Sequence, residues 1–326
     1  MRDAFFRSLV QLAAGDERIY LLVGDLGFGV ADEFRGRFPG RFLNAGVAEQ
    51  NMTGVAAGLA LAGKIVFTYS IANFPTLRCL EQIRNDVCYH NANVKVVAVG
   101  GGLAYGALGP SHHATEDLAI LRALPNMVVV APGDALEAAQ ATAAVAARPG
   151  PCYVRLGRAG EPAVHPSLDF RLGKAAQVRR GSDLSLIATG GMLAIAAEAG
   201  RRLEQEGIAA GVWSMHTIKP LDEEAVRQAA ASGLLFTLEE HSVIGGLGSA
   251  VAEVLCEAGF SGAFRRIALP DAFAGCAGSA EYLRGLQGLD VESVLSRIRA
   301  ELAARQPPAA VLEAAVCPGW EAARRS

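Results

Sequence analysis

The stretch NAGVAEQNMTGVAAGLALAG, residues 44–63, shows the strand-turn-helix pattern that recurs along the chain. An apolar strand pattern ends at Asn44, the chain turns at Gly46, and a helix pattern of small apolar residues begins near Glu49. The predicted unit is therefore a strand, a glycine turn and a buried helix. A carboxylate at the start of so apolar a helix is either a partner of the helix dipole or a buried functional group. The residue pattern alone leaves both roles of Glu49 open.

The same alternation of short apolar strands and longer helix patterns continues on both sides of this stretch. It predicts mainly parallel sheets covered by helices. One complete α/β unit extends over residues 1–162, the periodicity fades over residues 163–180, and a smaller α/β unit follows over residues 181–303. We therefore expect an α/β protein of two consecutive three-layer domains, with a linker between them and a tail over residues 304–326.

Composition excludes several classes of protein. The chain has 326 residues, of which 51% are hydrophobic and 19% are charged, so a disordered chain is excluded. The formal net charge of -3 argues against a nucleic-acid partner. No apolar run approaches the roughly 18 residues that a membrane span needs. We expect a cytoplasmic protein with no membrane partner.

The six cysteines are scattered along the chain. No C-x-x-C pair and no histidine at zinc-ligand spacing accompanies them, so no metal site is predicted. We expect all of them to be buried thiols in a reducing compartment: Cys79, Cys88, Cys152, Cys256, Cys276 and Cys317.

A glycine-rich loop follows the fourth predicted strand and reads GGLAYGALGPSHHATED, residues 101–117. It carries two adjacent imidazoles, His112 and His113. No third ligand at metal-binding spacing accompanies them, so proton transfer or hydrogen bonding to a substrate is favoured over metal binding. An aromatic residue in such a loop is often exposed to a ligand, which makes Tyr105 a further candidate.

Other candidate residues follow the first and sixth predicted strands, at the edge where open parallel sheets bind ligands. Asp25 lies in VGDLGFG, residues 23–29, whose glycine spacing differs from the dinucleotide fingerprint. It either caps the turn or contacts a ligand. Arg155 and Arg158 are placed to bind a phosphate or a carboxylate, or else they are solvated surface charges.

The segment TYSIANF, residues 68–74, supplies two aromatic rings after the third predicted strand. A helix is predicted to follow from about Pro75 to Tyr89, with the proline in its favoured early position. Tyr69 and Phe74 are either core residues or ligand contacts, and the pattern does not decide between these roles.

The order of these motifs resembles the transketolase superfamily of thiamine diphosphate enzymes. The likeness rests on strand-GD, NAGVAEQNM, TYS with a nearby phenylalanine, and GPSHHATED followed by PNMVVVAPGD. It extends over about residues 3–300 and corresponds to the pyrimidine-binding domain and the C-terminal domain of that family. It is greatest to the C-terminal subunits of split, two-chain transketolases.

The resemblance implies roles for the cofactor-binding residues. Glu49 matches the glutamate that hydrogen-bonds N1′ of the aminopyrimidine and so promotes loss of a proton from the thiazolium ring. Phe74 matches the aromatic platform under the pyrimidine, and Asp25 matches an acid near the cofactor. Tyr69 and Ile71 are the further predicted cofactor contacts, although Ile71 stands where the family has an aromatic residue.

The resemblance also implies how the substrate is held. His112 matches the histidine that hydrogen-bonds a substrate oxygen near the reacting carbon, and Arg158 aligns with the arginine that holds the sugar phosphate. Leu108 replaces an aspartate of the family and Gly100 replaces a phosphate-binding histidine, which argues against an ordinary pentose phosphate as substrate. The remaining predicted substrate residues are His113, Arg155 and Tyr105.

The implied function is transfer of a two-carbon ketol unit from a ketose, such as a ketose phosphate, to an aldose. In the family, a GDG motif and a downstream asparagine hold the diphosphate and Mg²⁺ on a separate domain. Here Leu26 replaces the second glycine and Asn51 belongs to the Glu49 helix. The chain is therefore expected to need an N-terminal transketolase subunit as partner, in a heterotetramer of two plus two chains.

Three alternatives remain open. Two are enzymes of the same architecture, the beta subunit of a 2-oxo acid dehydrogenase and a deoxyxylulose-phosphate-synthase-like enzyme. The third is a catalytically silent scaffolding homologue, against which the presence of Glu49 argues.

Overall fold

The first half of the chain alternates strands and helices as the sequence predicts. The structure is a computed structural model and describes residues 1–305. The elements of this half are α1 (Arg2–Gly15), β1 (Ile19–Val23), α2 (Asp32–Arg37), β2 (Phe42–Asn44), α3 (Glu49–Leu61), β3 (Ile65–Ile71), α4 (Leu80–Gln82), β4 (Val94–Val99), α5 (Asp117–Ala123), β5 (Val128–Val130), α6 (Ala135–Ala147) and β6 (Cys152–Leu156).

The second half repeats this alternation with different connections. Its elements are β7 (Ala176–Arg179), β8 (Leu184–Ala188), α7 (Met192–Gln205), β9 (Ala210–Ser214), β10 (Thr217–Lys219), α8 (Glu223–Ala230), β11 (Leu234–Ser242), α9 (Leu247–Glu257), β12 (Ala263–Leu269), α10 (Ala280–Leu286) and α11 (Val291–Arg305). The predicted tail, residues 304–326, lies outside the described residues except for its first two, which end α11.

Within residues 1–305, the first sheet has seven strands in the order β10-β5-β6-β4-β3-β1-β2. Six of them come from the first half and pair in parallel, whereas β10 comes from the second half and pairs antiparallel with β5. Every residue of β3 and β4 is buried. Helices cover both faces of such a sheet, which is why its strands are almost continuously apolar.

In the described part of the chain, the second sheet has five strands in the order β12-β11-β8-β9-β7. Its neighbours are parallel except for β7, which pairs antiparallel with β9. Strand β7 lies inside the predicted linker, residues 163–180, and was not expected from its sequence. The α/β class with two mainly parallel sheets is confirmed, and the domain limits chosen from the sequence stay a prediction.

The segment after β3 differs from the helix predicted from Pro75 to Tyr89. Residues 72–79 form a series of turns, and the helix begins only at Leu80 and continues as a π-helix over Ile83–Cys88. The turns are closed locally, because the Leu77 amide donates to the Asn73 carbonyl and the Thr76 hydroxyl donates to the Ala72 carbonyl. The expectation was therefore wrong for the first turn of this helix.

The cysteine expectation is confirmed in part. Cys79, Cys88 and Cys152 are buried free thiols, but Cys256 and Cys276 are exposed. Cys256 lies on the outer side of α9 near its C-terminus, and Cys276 lies in the connection between β12 and α10. Cys317 lies outside the described residues. Within residues 1–305, none of the helices combines the length and apolar character needed to cross a membrane.

The segment after β6 is fastened to α6 by two buried acids. Asp134 Oδ2 accepts hydrogen bonds from the amides of Val164 and His165, each at 3.0 Å. His165 Nε2 lies 2.8 Å from Glu137 Oε1. Burial opposes the charge of this imidazole, but the hydrogen bond and the attraction of Glu137 outweigh it, so the pKa of His165 lies above its usual value.

This contact predicts a pH-dependent contribution to stability. Because the folded-state pKa of His165 is raised, the contribution is fully present below about pH 6.5, the usual histidine value, and is lost as the pH rises through the folded pKa. Chemical unfolding from pH 5 to pH 9 should therefore show a larger fall in the free energy of unfolding for the wild type than for His165→Asn. The matched change His90→Asn removes an exposed imidazole and should leave the wild-type profile. Parallel profiles for the wild type and His165→Asn would contradict this prediction.

Candidate active site

Three segments meet at the carboxyl edge of the first sheet. Glu49 begins α3 after β2, residues 72–79 follow β3, and the loop over residues 100–116 follows β4. Strands β1, β2, β3 and β4 are parallel neighbours, so the segments that follow them lie side by side. Ligands bind at this edge of open α/β sheets.

Glu49 is a buried carboxylate, with 1% of its surface exposed. Its Oε2 accepts a hydrogen bond from Arg78 Nη1 at 2.8 Å, and its Oε1 lies 3.4 Å from the Ser70 hydroxyl. A Cβ at Gly24 would lie 3.2 Å from both Glu49 Cγ and Ser70 Oγ, so a glycine leaves the room that the carboxylate needs. Burial therefore favours the functional role of this residue over that of a simple dipole partner.

An arginine connects Glu49 to the other predicted residues. The Arg78 guanidinium carbon lies 4.9 Å from the centre of the Phe74 ring, and the His112 ring meets Phe74 edge-on with 5.2 Å between centroids. Glu49, Phe74 and His112 are thus brought together along one line of contacts. Arg78 was not among the residues predicted from the sequence. Its spacing of four residues from Phe74 was a usable signal, because a turn or helix places such residues on one side.

The loop over residues 100–116, called the histidine loop below, is joined to the turns after β3. The Asn73 side-chain amide donates to the Ser111 carbonyl at 3.3 Å, and His112 Nδ1 lies 3.0 Å from the Ser111 hydroxyl. Within the described residues, Asn73 Oδ1 and His113 Nε2 are buried and have no hydrogen-bond partner. Two such atoms on adjacent segments fit the presence of a polar ligand, since buried polar groups are normally paired.

Asp25 is exposed in the turn after β1 and is held by Asn44. Asn44 Nδ2 donates to Asp25 Oδ1 at 2.9 Å, and the Asp25 amide donates to Asn44 Oδ1 at 3.0 Å. Asp25 has a φ of 55°, in the left-handed region. The reciprocal pair fixes this turn at the same edge as Glu49, and Asn44 was not among the predicted residues.

Tyr69 and Ile71 are buried at the end of β3. Tyr69 stacks on Phe5 with 6.2 Å between centroids and meets Phe6 edge-on at 4.9 Å. Burial raises the pKa of the Tyr69 hydroxyl strongly. Ile71 is 8% exposed and belongs to the same apolar cluster. The geometry favours the core role for Tyr69 over a ligand contact.

Arg155 is buried and donates its hydrogen bonds to other groups of the protein. Its Nε donates to Asp117 Oδ2 at 2.9 Å, and its Nη2 donates to the carbonyls of Ala114 and Glu240 at 2.7 and 2.9 Å. The Tyr153 hydroxyl donates to the same Asp117 oxygen. This arrangement favours a structural role for Arg155 over the substrate contact that the sequence analysis predicts.

Comparison with known proteins supports the same family for both halves of the chain. The family models described as the transketolase pyrimidine-binding domain and the transketolase C-terminal domain match residues 1–160 and 173–294.

A Methanocaldococcus jannaschii protein described as a transketolase C-terminal section is 42% identical over 306 residues, which are 93% of this chain and 96% of that protein. A Phocaeicola vulgatus protein described as one of the subunits of an apulose-4-phosphate transketolase is 43% identical over 260 residues, 78% of this chain and 83% of that protein. A solved structure described as a split gene transketolase, inactive beta4 tetramer, has a TM-score of 0.83 at 40% identity and covers 94% of this chain and 98% of its own.

The chain belongs to the transketolase family.

The packing of Tyr105 explains why this transketolase-family chain has a glycine at position 100. Gly100, for which the sequence resemblance implies a phosphate-binding histidine in the family, has a φ of +91°, and a Cβ there would lie 2.1 Å from Tyr105 Cε2. The Tyr105 ring therefore fills the space that a side chain at position 100 would need. The Arg158 guanidinium carbon lies 5.4 Å from the centre of that ring. Tyr105 of the histidine loop and Arg158 after β6 thus form a pair.

This pair faces a cavity between the two halves of the transketolase-family chain. The cavity has a volume of about 800 Å³. From the first half it is lined by Tyr105, Leu108, Arg155 and Arg158, and from the second half by Gly190, Glu240 and Arg284. It reaches the loop that carries His112, and Arg158 is exposed there. An exposed guanidinium over an aromatic ring at the wall of a cavity can bind an anionic group.

Proposed function

We propose that this chain is the member of a two-chain transketolase that binds the pyrimidine of thiamine diphosphate and transfers a two-carbon ketol unit from a ketose to an aldose. The observation that carries the proposal is the buried Glu49 carboxylate at the same sheet edge as Phe74 and His112. The names of the relatives support the same reaction class.

The residues at this edge fit the aminopyrimidine. Glu49 is buried, its Oε1 has only a long contact with Ser70, and the Phe74 ring and the unpartnered atom Asn73 Oδ1 lie on the next segment. Thiamine diphosphate supplies, when bound, the nucleophilic carbon and the electron sink that ketol transfer needs. Glu49 would hold and return a proton at N1′, and the Phe74 ring would support the pyrimidine. His112 would donate a hydrogen bond to a substrate oxygen.

The diphosphate and Mg²⁺ are assigned to the partner, an N-terminal transketolase subunit. Within residues 1–305, no group of three or more acidic, histidine or cysteine side chains can hold a metal ion. Phe28 and Val47 follow β1 and β2 at the active-site edge and are 76% and 75% exposed. Large exposed apolar side chains at one edge are typical of a protein interface. A heterotetramer of two plus two chains in the cytoplasm is the proposed assembly.

Reconstitution tests this proposal directly. The purified chain, mixed with thiamine diphosphate, Mg²⁺ and a candidate partner that carries a GDG motif and a downstream asparagine, should transfer two carbons from hydroxypyruvate or a ketose phosphate to an aldehyde. Each chain alone should be inactive, and pyruvate should be a poor donor. Full turnover without a partner would overturn the half-site assignment, and preference for pyruvate would overturn the ketol-transfer assignment.

Arg158 is predicted to bind the anionic end of the sugar. Arg158→Ala should raise KM for glyceraldehyde 3-phosphate by about tenfold to a hundredfold, which corresponds to the loss of one hydrogen bond to a charged group. The KM for glycolaldehyde, which has no anionic end, should stay at the wild-type value. The control Arg227→Ala removes an exposed arginine of α8. Equal changes of KM for both aldehydes would contradict this role.

A further inference from the structure

The second half of the chain holds the histidine loop at three places. At its start the Leu103 amide donates to Glu240 Oε1 at 2.5 Å. At its end the Thr115 carbonyl accepts a hydrogen bond from the Ser242 amide at 2.7 Å. In its middle the Gly106 carbonyl accepts a hydrogen bond from the Gly278 amide at 3.3 Å. The loop therefore belongs to the first half by sequence but is also fastened by the second.

Glu240 is the centre of this attachment. It is 4% exposed at the end of β11, and its Oε2 accepts a hydrogen bond from Arg284 Nε of α10. Its backbone carbonyl accepts from Arg155 Nη2, which also donates to the Ala114 carbonyl. One residue of the second half thus contacts the start of the loop through its side chain and the end of the loop through Arg155.

A glycine in the loop, Gly102, leaves room for the Glu240 carboxylate. A Cβ at Gly102 would lie 2.6 Å from both Glu240 Cγ and Oε1, and Gly102 has a φ of +65°. The amide of Gly102 donates to the Ala114 carbonyl at 2.8 Å, and the amide of Ala114 donates back at 3.0 Å. The two limbs of the loop are therefore paired with each other at the point where Glu240 packs. His112 lies between these limbs.

We propose that Glu240 is a positioning residue, through which the C-terminal half of the chain sets the place of His112 in the active site. This inference rests on the proposed function of His112. The Glu240 carboxylate is held in one position, because it is buried and accepts hydrogen bonds from both a backbone amide and a guanidinium. A displacement of about 1 Å of a group that contacts substrate can cost a hundredfold in rate. This attachment of the loop to Glu240 thus gives the second half a role in catalysis through the position of His112.

The first test measures the loop itself, without any activity. Hydrogen–deuterium exchange of the full chain should be faster for peptides covering residues 103–115 in Glu240→Ala than in the wild type, since the local opening energy falls. Glu253→Ala is the matched control, because it removes a different contact between the two halves, the Arg122–Glu253 ion pair, away from the loop. If the alanine variant does not fold, Glu240→Gln replaces it: it keeps the shape of the side chain but removes the charge from the hydrogen bonds to Leu103 and Arg284, so a smaller increase in exchange is expected. Equal exchange in the Glu240 and Glu253 variants would overturn the proposed attachment of the loop to Glu240.

The second test separates positioning from general destabilisation. In the reconstituted two-chain enzyme, Glu240→Ala should lower kcat about tenfold to a hundredfold, but in a His112→Ala background it should lower kcat less than about twofold. Equal losses in both backgrounds would show a structural role only and would overturn the proposal. If the wild-type complex transfers no ketol unit, the proposed function fails, and the exchange experiment still decides whether Glu240 holds the loop.

Discussion

Replacing Glu49 by glutamine is expected to lower kcat of the reconstituted enzyme by about 10²- to 10⁴-fold, the range usual for loss of a positioned proton-transfer group. An amide has nearly the shape of the carboxylate but cannot take up and return a proton. Glu49 lies 1% exposed with Arg78 as its nearest charged partner, so the change removes a buried charge without leaving a cavity. The measurement is steady-state ketol transfer at saturating cofactor.

A matched control makes this result specific. Glu81→Gln is the same substitution on the exposed surface of the next helix and should leave kcat within about twofold of the wild type. The midpoint of thermal unfolding should not fall in Glu49→Gln, because the lost ion pair has a half-exposed arginine whose charge can still be solvated. A Glu49→Gln enzyme with wild-type kcat would remove the main support for the proposed function.

Arg155→Ala is expected to lower the free energy of unfolding by about 3–5 kcal/mol, because it leaves the buried carboxylate of Asp117 without its cation. Arg158→Ala, three residues along the chain, removes an exposed guanidinium and should change the free energy of unfolding by less than about 0.5 kcal/mol. Urea unfolding followed by circular dichroism measures both values.

A double variant tests the cause of that loss. Arg155→Met with Asp117→Asn removes both charges and keeps an acceptor for the Tyr153 hydroxyl, so it should recover part of the stability that Arg155→Ala loses. A loss below about 1 kcal/mol in Arg155→Ala would show that the ion pair is not the source of stability that its burial indicates.

The two arginines also show how far the sequence could predict the site. Arg155 and Arg158 have the same chemistry, and both were predicted to reach the substrate. Only the exposed Arg158 faces the cavity freely, because Arg155 lies inside the buried strand β6. A usable signal was present, since a charged residue within an otherwise apolar strand is seldom buried without a partner.

The long strands and helices could be predicted because burial on both faces leaves apolar runs that stand out in the sequence. Strands β7 and β10, of sequence AQVR and TIK, are short and interrupted by polar residues, so they show no such apolar run. The contact of Glu240 with Leu103 joins residues 137 positions apart. The ion pair of Glu49 with Arg78 likewise depends on the turns after β3. The early position of Pro75 had predicted a helix there. Contacts of this kind follow from the fold and are not encoded in a local pattern.

The antiparallel pairing of β10 with β5 has a consequence for synthesis of the chain. The first sheet lacks its last strand until residue 219 has left the ribosome, although its other six strands are complete by residue 156. Until then β5 presents an unpaired edge, which is a site for association with other chains. A fragment that ends after β6 would keep that edge permanently, so expression of the first half alone should give aggregates unless residues through Lys219 are included.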